Sequence, residues 1–472
     1  MNTSESLRYF LPETFLIAGA FLVLLFDLFS RNKKIVGALA ILAVVGSAFL
    51  AQRPTASLSL FSGNFTLDEF THFFRYLILF ATAVSLLVSL AYKALPETYE
   101  GEFYSLFLFM AVALILLAAS TNLLMIFISF EFVSILSYLF TGFLKKNAKS
   151  KEAAIKYLLF GSLASGVMLF GMSLLFGASG SLDLIVIQKT LSQPSYSPLL
   201  SVSLLLFLAG LGFKIALAPF HMWAPDVYEA APTPVAGFLT VGPKAVGFAL
   251  LARILLVLFH WTLVRWQPLI FFISIFTMTL GNLTALSQTN IKRLLAYSTI
   301  AQAGYILMGI ASVSSLGVSA VLVYLAAYTF TNLGAFACVT AISNVIGNDE
   351  LQSYAGLSRR SPFLAACMTF FLLSLAGIPP TAGFIGKFYV FSAAIDSKLY
   401  FLAIAAAINS AVAAFYYFKI VRQMYLTAQV NEEPMHLAPS LALALVLLAL
   451  GTLLLGLFPS PLIAFVQGIM PG

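Results

Sequence analysis

Charge is scarce in this sequence. Asp, Glu, Lys and Arg make up 9% of its 472 residues, where a soluble domain carries about 25%. So little charge cannot cover a water-facing surface. Cysteine is nearly absent too, with Cys338 and Cys367 standing alone inside apolar runs. There is no CxxC spacing, which removes the ligands for iron–sulfur, structural zinc and haem-attachment readings. His72, His221, His260 and His436 are scattered, with no metal-ligand spacing among them. A glycine-rich nucleotide loop is missing. Large hydrophilic domains are missing as well. The longest polar stretches, around 51–72, 179–200 and 344–362, have the length of connections.

Apolar residues fill the space that charge leaves. They account for 61% of the chain, with 45 phenylalanines. Runs of roughly 20 apolar residues, long enough to cross a hydrocarbon core as a helix, recur from end to end. They are too long and too uniform for barrel strands, and helices satisfy their own backbone in lipid. The fold class this predicts is all-α, a polytopic transmembrane helical bundle of about 14 spans. These lie near 11–29, 35–50, 73–92, 104–120, 122–143, 153–178, 201–220, 237–259, 267–288, 294–312, 316–343, 363–396, 400–425 and 439–460. Arg31, Lys33 and Lys34 follow the first run instead of preceding it. It therefore reads as a retained span and not as a cleaved signal peptide.

The basic residues give an orientation. With the N-terminus placed outside, inner loops and helix ends carry fifteen Lys and Arg against six on the outer side. That is the positive-inside bias. It predicts an even number of spans with both termini outside, and it explains the net charge of +7 without a nucleic-acid partner.

Two spans are interrupted. The seventh runs into LAPFHMWAPDVYEAAPTPV, crowded with Pro219, Pro225, Pro232 and Pro234, each lacking a backbone donor. The twelfth contains SLAGIPPTAGFIGKFYVF, broken at Gly377, Pro379, Pro380 and Gly383. Broken backbone at membrane depth is tolerated where protein or a wet cavity satisfies it. Such breaks mark the ion pathway of inverted-repeat transporters. Their separation of five spans suits two inverted five-helix repeats, spans 4–8 and 9–13, with discontinuous helices 7 and 12. The expected organisation is a three-span segment over 1–103, repeats over 104–260 and 261–426, and a C-terminal span over 427–472.

A few charges stand inside apolar runs: Glu131, Lys214, Lys244 and Lys387, with Arg253 nearer a span end. A charge at a helix centre costs at least ~2.5–3.5 kcal/mol on insertion scales. Lysines near span ends reach the headgroups cheaply, and this reading stays open for Lys244 and Lys387. Arg253 is expected to snorkel outward. For Glu131 and Lys214 the expectation is a working pair, the carboxylate holding the lysine charged until a neighbouring charge moves. Lysine releases a proton and arginine does not, so a line of lysines fits proton movement. His221 beside the first break is either a proton-passing group or a packing histidine. Tyr297, Ser298, Gln302 and Tyr305 are expected to share one face of the tenth span. Glu13 and Asp27 read as capping or interface charges. Asp226 and Glu229 read as ties for the broken segment or as surface charges.

The stretches GFKIALAPFHMWAPDVYEAAPTPVAGFLTVGPKAVGF (212–248), NIKRLLAYSTIAQAGYILMG (290–309) and GIPPTAGFIGKFYVF (377–391) carry a resemblance. They resemble the antiporter-like proton-translocating membrane subunits of respiratory complex I, of multisubunit cation/proton antiporters and of membrane-bound hydrogenases. The opening LPETFLIAGAFLVLLFDLF, Lys387 in the twelfth span and an end after span 14 resemble the subunit N branch of NADH–quinone oxidoreductase.

The resemblance implies a proton relay of Glu131, Lys214, Lys244 and Lys387. His221, Tyr297 and Ser298 would stand on the water path. Gln302 departs from the family pattern, which often has histidine there. No cofactor would bind this chain. NADH, flavin, iron–sulfur clusters and a quinone would belong to the assembly. Its partners would be other membrane subunits of complex I, neighbouring antiporter-like subunits among them, and membrane lipid, with no nucleic acid. The implied location is the bacterial inner membrane. A cation/proton antiporter or hydrogenase subunit is the alternative.

Overall fold

The computed structural model describes residues 3–53, 56–193, 197–259, 265–428 and 435–471. His260 lies outside the described residues. The chain opens with α1 (Thr3–Tyr9), α2 (Leu11–Phe29) and α3 (Lys33–Leu50). A two-stranded antiparallel hairpin, β1 (Leu58–Leu60) and β2 (Phe65–Leu67), precedes α4 (Glu69–Ser89). Next come α5 (Glu100–Ala119), α6 (Leu123–Thr141), α7 (Ala148–Ser179), the short α8 (Leu184–Thr190), α9 (Ser197–Lys214), α10 (Ala224–Ala230) and α11 (Thr233–Arg253). The second half holds α12 (Gln267–Leu286), α13 (Ile291–Ala311), α14 (Ser315–Ile346), the one-turn α15 (Leu357–Arg360), α16 (Pro362–Ala376), α17 (Ala382–Asp396) and α18 (Tyr400–Leu426). Last are α19 (Pro439–Leu457) and α20 (Ser460–Val466).

Among the described residues, twelve helices are long and apolar enough to cross a membrane, and α9 and α16 are shorter apolar helices that stop at the two breaks. The protein is therefore a polytopic all-α membrane bundle. Composition decides which helices face lipid. Along α11 every residue from Thr233 to Arg253 is buried, and α13 and α14 are buried nearly throughout. Apolar and small residues predominate on all sides of these helices, as in central helices, and their few charged side chains, Lys244 and Arg253 among them, are buried with partners. In α3 only Val36, Gly37, Ala40, Ala43, Val44 and Ser47 are buried. That three-and-four spacing is one stripe facing inward, while Phe49 points out at 86% exposure.

The two halves share a detail. Both α7 and α14 have 32 residues and end at a left-handed glycine, Gly180 and Gly347. Each chain then turns back to an asparagine-capped helix start. Leu123 N donates to Leu182 O at 2.8 Å, and Ile291 N donates to Asp349 O at 2.8 Å. Asn122 caps α6 and Asn290 caps α13.

One expectation about a charge is corrected here. Arg253 does not snorkel: it is 1% exposed and Nη2 lies 3.2 Å from Asp68 Oδ2. Glu13, read as a capping or interface charge, lies in the first turn of α2 and meets Arg75 of α4 at 2.7 Å with both side chains buried. Burial of both partners makes pairing the only way to keep such charges. Asp27 behaves differently, reaching Lys33 at 2.7 Å near the end of α2.

Candidate functional site: a buried line of lysines

The first break forms because α9 stops at Lys214 and the chain runs through Pro219 and Pro225 before the next full span. Its freed backbone finds other partners. Ala218 N donates to Thr277 Oγ1 on α12 at 3.1 Å. Trp223 Nε1 donates to Phe213 O at 2.8 Å, and its ring stacks on Tyr157 with centroids 4.3 Å apart. Beyond the break, α10 is tied from both sides. Arg293 on α13 reaches Asp226 at 2.8 Å and Glu229 at 3.0 Å. Lys156 on α7 reaches Asp226 at 3.0 Å, and Lys149 reaches Glu229 at 3.3 Å. Asp226 and Glu229 thus hold the broken segment, as expected.

Lys214 is 2% exposed. Its Nζ donates to Ser134 Oγ on α6 at 3.2 Å and lies 5.4 Å from the centre of the Phe130 ring. Glu131 precedes Ser134 by one turn on the same helix. The expected direct ion pair is not among those of the described residues. Glu131 is only half-buried, and its Oε1 is enclosed without a hydrogen-bond partner. Glu131 therefore makes no closed contact with Lys214, and the ammonium donates instead to Ser134.

Lys244 follows Pro243 inside α11 and is 1% exposed. Its Nζ donates to Thr299 O on α13 at 2.6 Å. The Tyr328 hydroxyl on α14 donates to Thr299 Oγ1 at 2.9 Å. From there polar groups continue along α13. Ser298 Oγ shares a short 2.5 Å hydrogen bond with the Tyr417 hydroxyl of α18. Gln302 Nε2 donates to Tyr417 at 3.3 Å and to Leu375 O at 3.1 Å, and its Oε1 accepts from the Tyr324 hydroxyl. The glutamine at this departure from the family pattern is therefore fully engaged.

Lys387 sits at the second break. It is buried, and its Nζ donates to Ala376 O at 2.8 Å and to Ser410 Oγ at 3.3 Å. Ala376 ends α16, so the ammonium lies at the negative end of a helix dipole. The Tyr305 ring lies beneath it at 4.7 Å. Tyr305 joins a cluster in which Asn282 Nδ2 donates to its hydroxyl at 3.0 Å and to Asn409 Oδ1 at 3.1 Å.

Lys214, Lys244 and Lys387 are therefore all buried, each bound through its ammonium to neutral oxygens. Lys244 and Lys387 both reach groups on or beside α13. Of the expected face on that helix, Ser298, Gln302 and Tyr305 are buried in the polar chain, while Tyr297 is half-buried and outside it. His221 is half-buried at the outer edge of the first break, between the exposed Phe220 and Met222. Sequence reasoning missed Tyr324, Tyr328 and Tyr417. The four-residue spacing of Tyr324 and Tyr328 within an apolar run was the available signal. Among the described residues no group of three or more His, Cys, Asp or Glu is placed to hold a metal ion.

Comparison with known proteins places this geometry. Residues 120–413 match the family described as NADH:quinone oxidoreductase/Mrp antiporter, transmembrane. NADH-quinone oxidoreductase subunit N of Trichlorobacter lovleyi is 41% identical over 469 residues, covering 98% of this chain and 96% of that one. A subunit N 2 of Sorangium cellulosum is 42% identical over 498 residues, covering 99% and 97%. A chain of respiratory complex I from Thermus thermophilus, solved with bound aureothin, superposes with a TM-score of 0.80. It is 31% identical and covers 96% of this chain and 98% of that one. A chain of the Mrp complex from Dietzia sp. shares the fold, with a TM-score of 0.84 at 21% identity over 99% and 97% of the two chains. This chain belongs to the NADH:quinone oxidoreductase/Mrp antiporter family of membrane subunits, among the homologues of NADH-quinone oxidoreductase subunit N.

Proposed function

We propose that this chain moves protons along a lateral line formed by Glu131, Lys214, Lys244 and Lys387, driven by NADH oxidation and quinone reduction elsewhere in its assembly. The observation that carries the reading is the burial of three lysines with only neutral oxygens at their ammonium groups. The three ammonium groups meet hydroxyls and carbonyls, with no carboxylate in hydrogen-bond contact, and lysine can release a proton where arginine holds it. Moving a charge near Glu131 shifts the first lysine, and its proton passes inward. Ser298, Gln302, Tyr417 and Tyr328 then supply hydroxyl and amide groups between Lys244 and Lys387. Ser298 belongs to this path by its contacts. Tyr297 and His221 hold peripheral places where water reaches it.

The shared detail of α7 and α14 supports two inverted repeats, spans 4–8 and 9–13, over residues 104–260 and 261–426. The segment 1–103 adds three spans and 427–472 one. Counting α9 with α10, and α16 with α17, as two broken spans gives fourteen beside the twelve continuous ones. An even count keeps both termini on one side, and the excess of basic residues in the opposite loops favours the outer side of the bacterial membrane for them. The partners are other membrane subunits of the assembly, neighbouring antiporter-like ones among them. NADH, flavin, iron–sulfur clusters and quinone belong to those other subunits. The identity to subunit N relatives favours this assembly over a cation/proton antiporter.

The test replaces Lys214 with Ala in the assembled complex and measures NADH-driven proton pumping alongside assembly. Normal assembly with sharply lowered pumping is expected. Unchanged pumping would remove Lys214 from the relay.

A further inference from the structure

An apolar cleft of about 670 Å³ opens between α2, α5, α6 and α7, at the end of the bundle that carries the loop 142–147. On α5 it runs from Glu102 to Phe109, and on α6 from Gly142 back to Ile135. Either stretch is seven residues apart, roughly 10 Å along the helix. The hydroxyl groups of these walls are turned elsewhere. Ser105 Oγ donates to Ala20 O at 3.1 Å, and the Tyr138 hydroxyl is enclosed against Gly161 of α7. Ile135 and Leu139 of α6, with Ile155 and Leu158 of α7, are each about half exposed. The cleft therefore opens sideways, toward whatever surrounds the bundle. A contiguous apolar opening of this kind marks a seat for lipid or protein.

Two charges stand at its mouth. Glu102, in the first turn of α5, and Lys145, just past α6, both line the cleft and both are exposed. Among the described residues neither has an ion-pair partner. They do not pair with each other either, and Lys145 Nζ lies 4.3 Å from the centre of the Tyr99 ring instead. Opposite charges left apart over an apolar cleft complement a zwitterion joined to a hydrocarbon chain. A lysine ammonium offers three donors to phosphate oxygens, and a carboxylate accepts from an ammonium. A protein helix fits the space less well. At about 10–12 Å across, it fills roughly 800–1,100 Å³ over 10 Å of length, more than the cleft holds. An acyl chain is far thinner.

We propose that this cleft seats one phospholipid whose headgroup carries a primary ammonium, as phosphatidylethanolamine does. Its phosphate meets Lys145, its ammonium meets Glu102, and one acyl chain lies between α2 and α7. The inference does not depend on the relay reading. Seated there, the lipid covers the half-exposed side chains of α6 and braces the helix that carries Glu131 and Ser134. A lipid with a glycerol headgroup offers Lys145 the same phosphate but leaves Glu102 without a cation, so the pair of charges selects between headgroups.

The experiment places the assembled complex in phosphatidylglycerol vesicles with a trace of photoactivatable phospholipid. The lipid carries a diazirine midway along one acyl chain and either an ethanolamine or a glycerol headgroup. After illumination, adducts are mapped on the peptides that hold Leu106 to Phe109 and Ile135 to Leu139. The ethanolamine lipid is expected to label them about threefold more than the glycerol lipid, a preference that one partly exposed ion pair supplies. Glu102→Gln is expected to bring the two lipids level. Lys145→Gln is expected to lower labelling by both, and Leu106→Trp, which fills the cleft, to abolish it. Equal labelling by the two lipids in the parent makes the cleft ordinary lipid boundary and overturns the proposal. No labelling in the parent means that a neighbouring protein segment covers the cleft, and that overturns it as well. The parental comparison needs no variant, so a variant that fails to assemble leaves the test standing.

Discussion

Gly377 is the residue on which the geometry of the terminal lysine turns. It closes α16 in the left-handed region, with φ of +86°. A Cβ built there would stand 2.7 Å from Lys387 Cδ and 3.5 Å from its Nζ. Gly377→Ala therefore does two things. A left-handed alanine carries roughly 1–2 kcal/mol of backbone strain. The methyl group also pushes the lysine off Ala376 O, a charge-assisted bond worth roughly 1.5–3 kcal/mol. Together the loss is about 2.5–5 kcal/mol. Gly377→Asn separates the two effects. Asparagine tolerates the left-handed region, yet it brings the same Cβ against Lys387. Both variants are expected to lose NADH-driven pumping in reconstituted vesicles, while the alanine variant also melts out of the complex at lower temperature. Parental pumping in both, with unchanged thermal stability of Gly377→Ala, would refute the placement of Lys387 against the end of α16.

Two further outcomes follow from buried contacts. Glu13→Leu strands Arg75 without its 2.7 Å partner and should cost about 3–5 kcal/mol of stability. The double variant with Arg75→Leu should recover most of it, as read by thermal inactivation of the complex, and a double variant no better than the single would sink the pairing. Trp223→Phe keeps a ring over Tyr157 but loses the donor to Phe213 O. It should cost about 0.5–1.5 kcal/mol and leave pumping nearly intact, whereas Trp223→Ala should slow pumping by loosening the first break. Equal stability of Trp223→Phe and the parent would show that the indole bond does not support that break.

Much of this architecture was legible because hydropathy has one dominant cause in lipid. The run expected at 439–460 became Pro439–Leu457, and the one at 11–29 became Leu11–Phe29. Both breaks were legible from proline and glycine, which interrupt a helix through covalent geometry alone. Lys214, Lys244 and Lys387 stood out because a charge in an apolar run demands a reason. Arg253 was misread for a physical cause. A charge near a span end is satisfied either by water or by a partner distant in sequence. Asp68, 185 residues from Arg253, left no local trace. The engagement of Gln302 was not legible in the sequence because its partners come from α14, α16 and α18. Tyr324, Tyr328 and Tyr417 passed unnoticed, since tyrosine in an apolar run reads as packing until its hydroxyl finds a partner. The bond from Lys214 to Ser134, in place of a direct pair with Glu131, depends on how α6 is rotated about its axis. Periodicity alone did not settle that rotation.

The most direct measurement concerns Lys244, the lysine that joins the first broken span's half of the line to the second. Lys244→Met keeps the length and apolar bulk of the side chain while removing the ammonium that meets Thr299 O. Protons pumped per NADH oxidised are measured in vesicles containing the fully assembled variant complex. A large fall in pumping with assembly intact is predicted. Parental pumping per NADH by the assembled variant would contradict the claim that protons pass along the buried lysines.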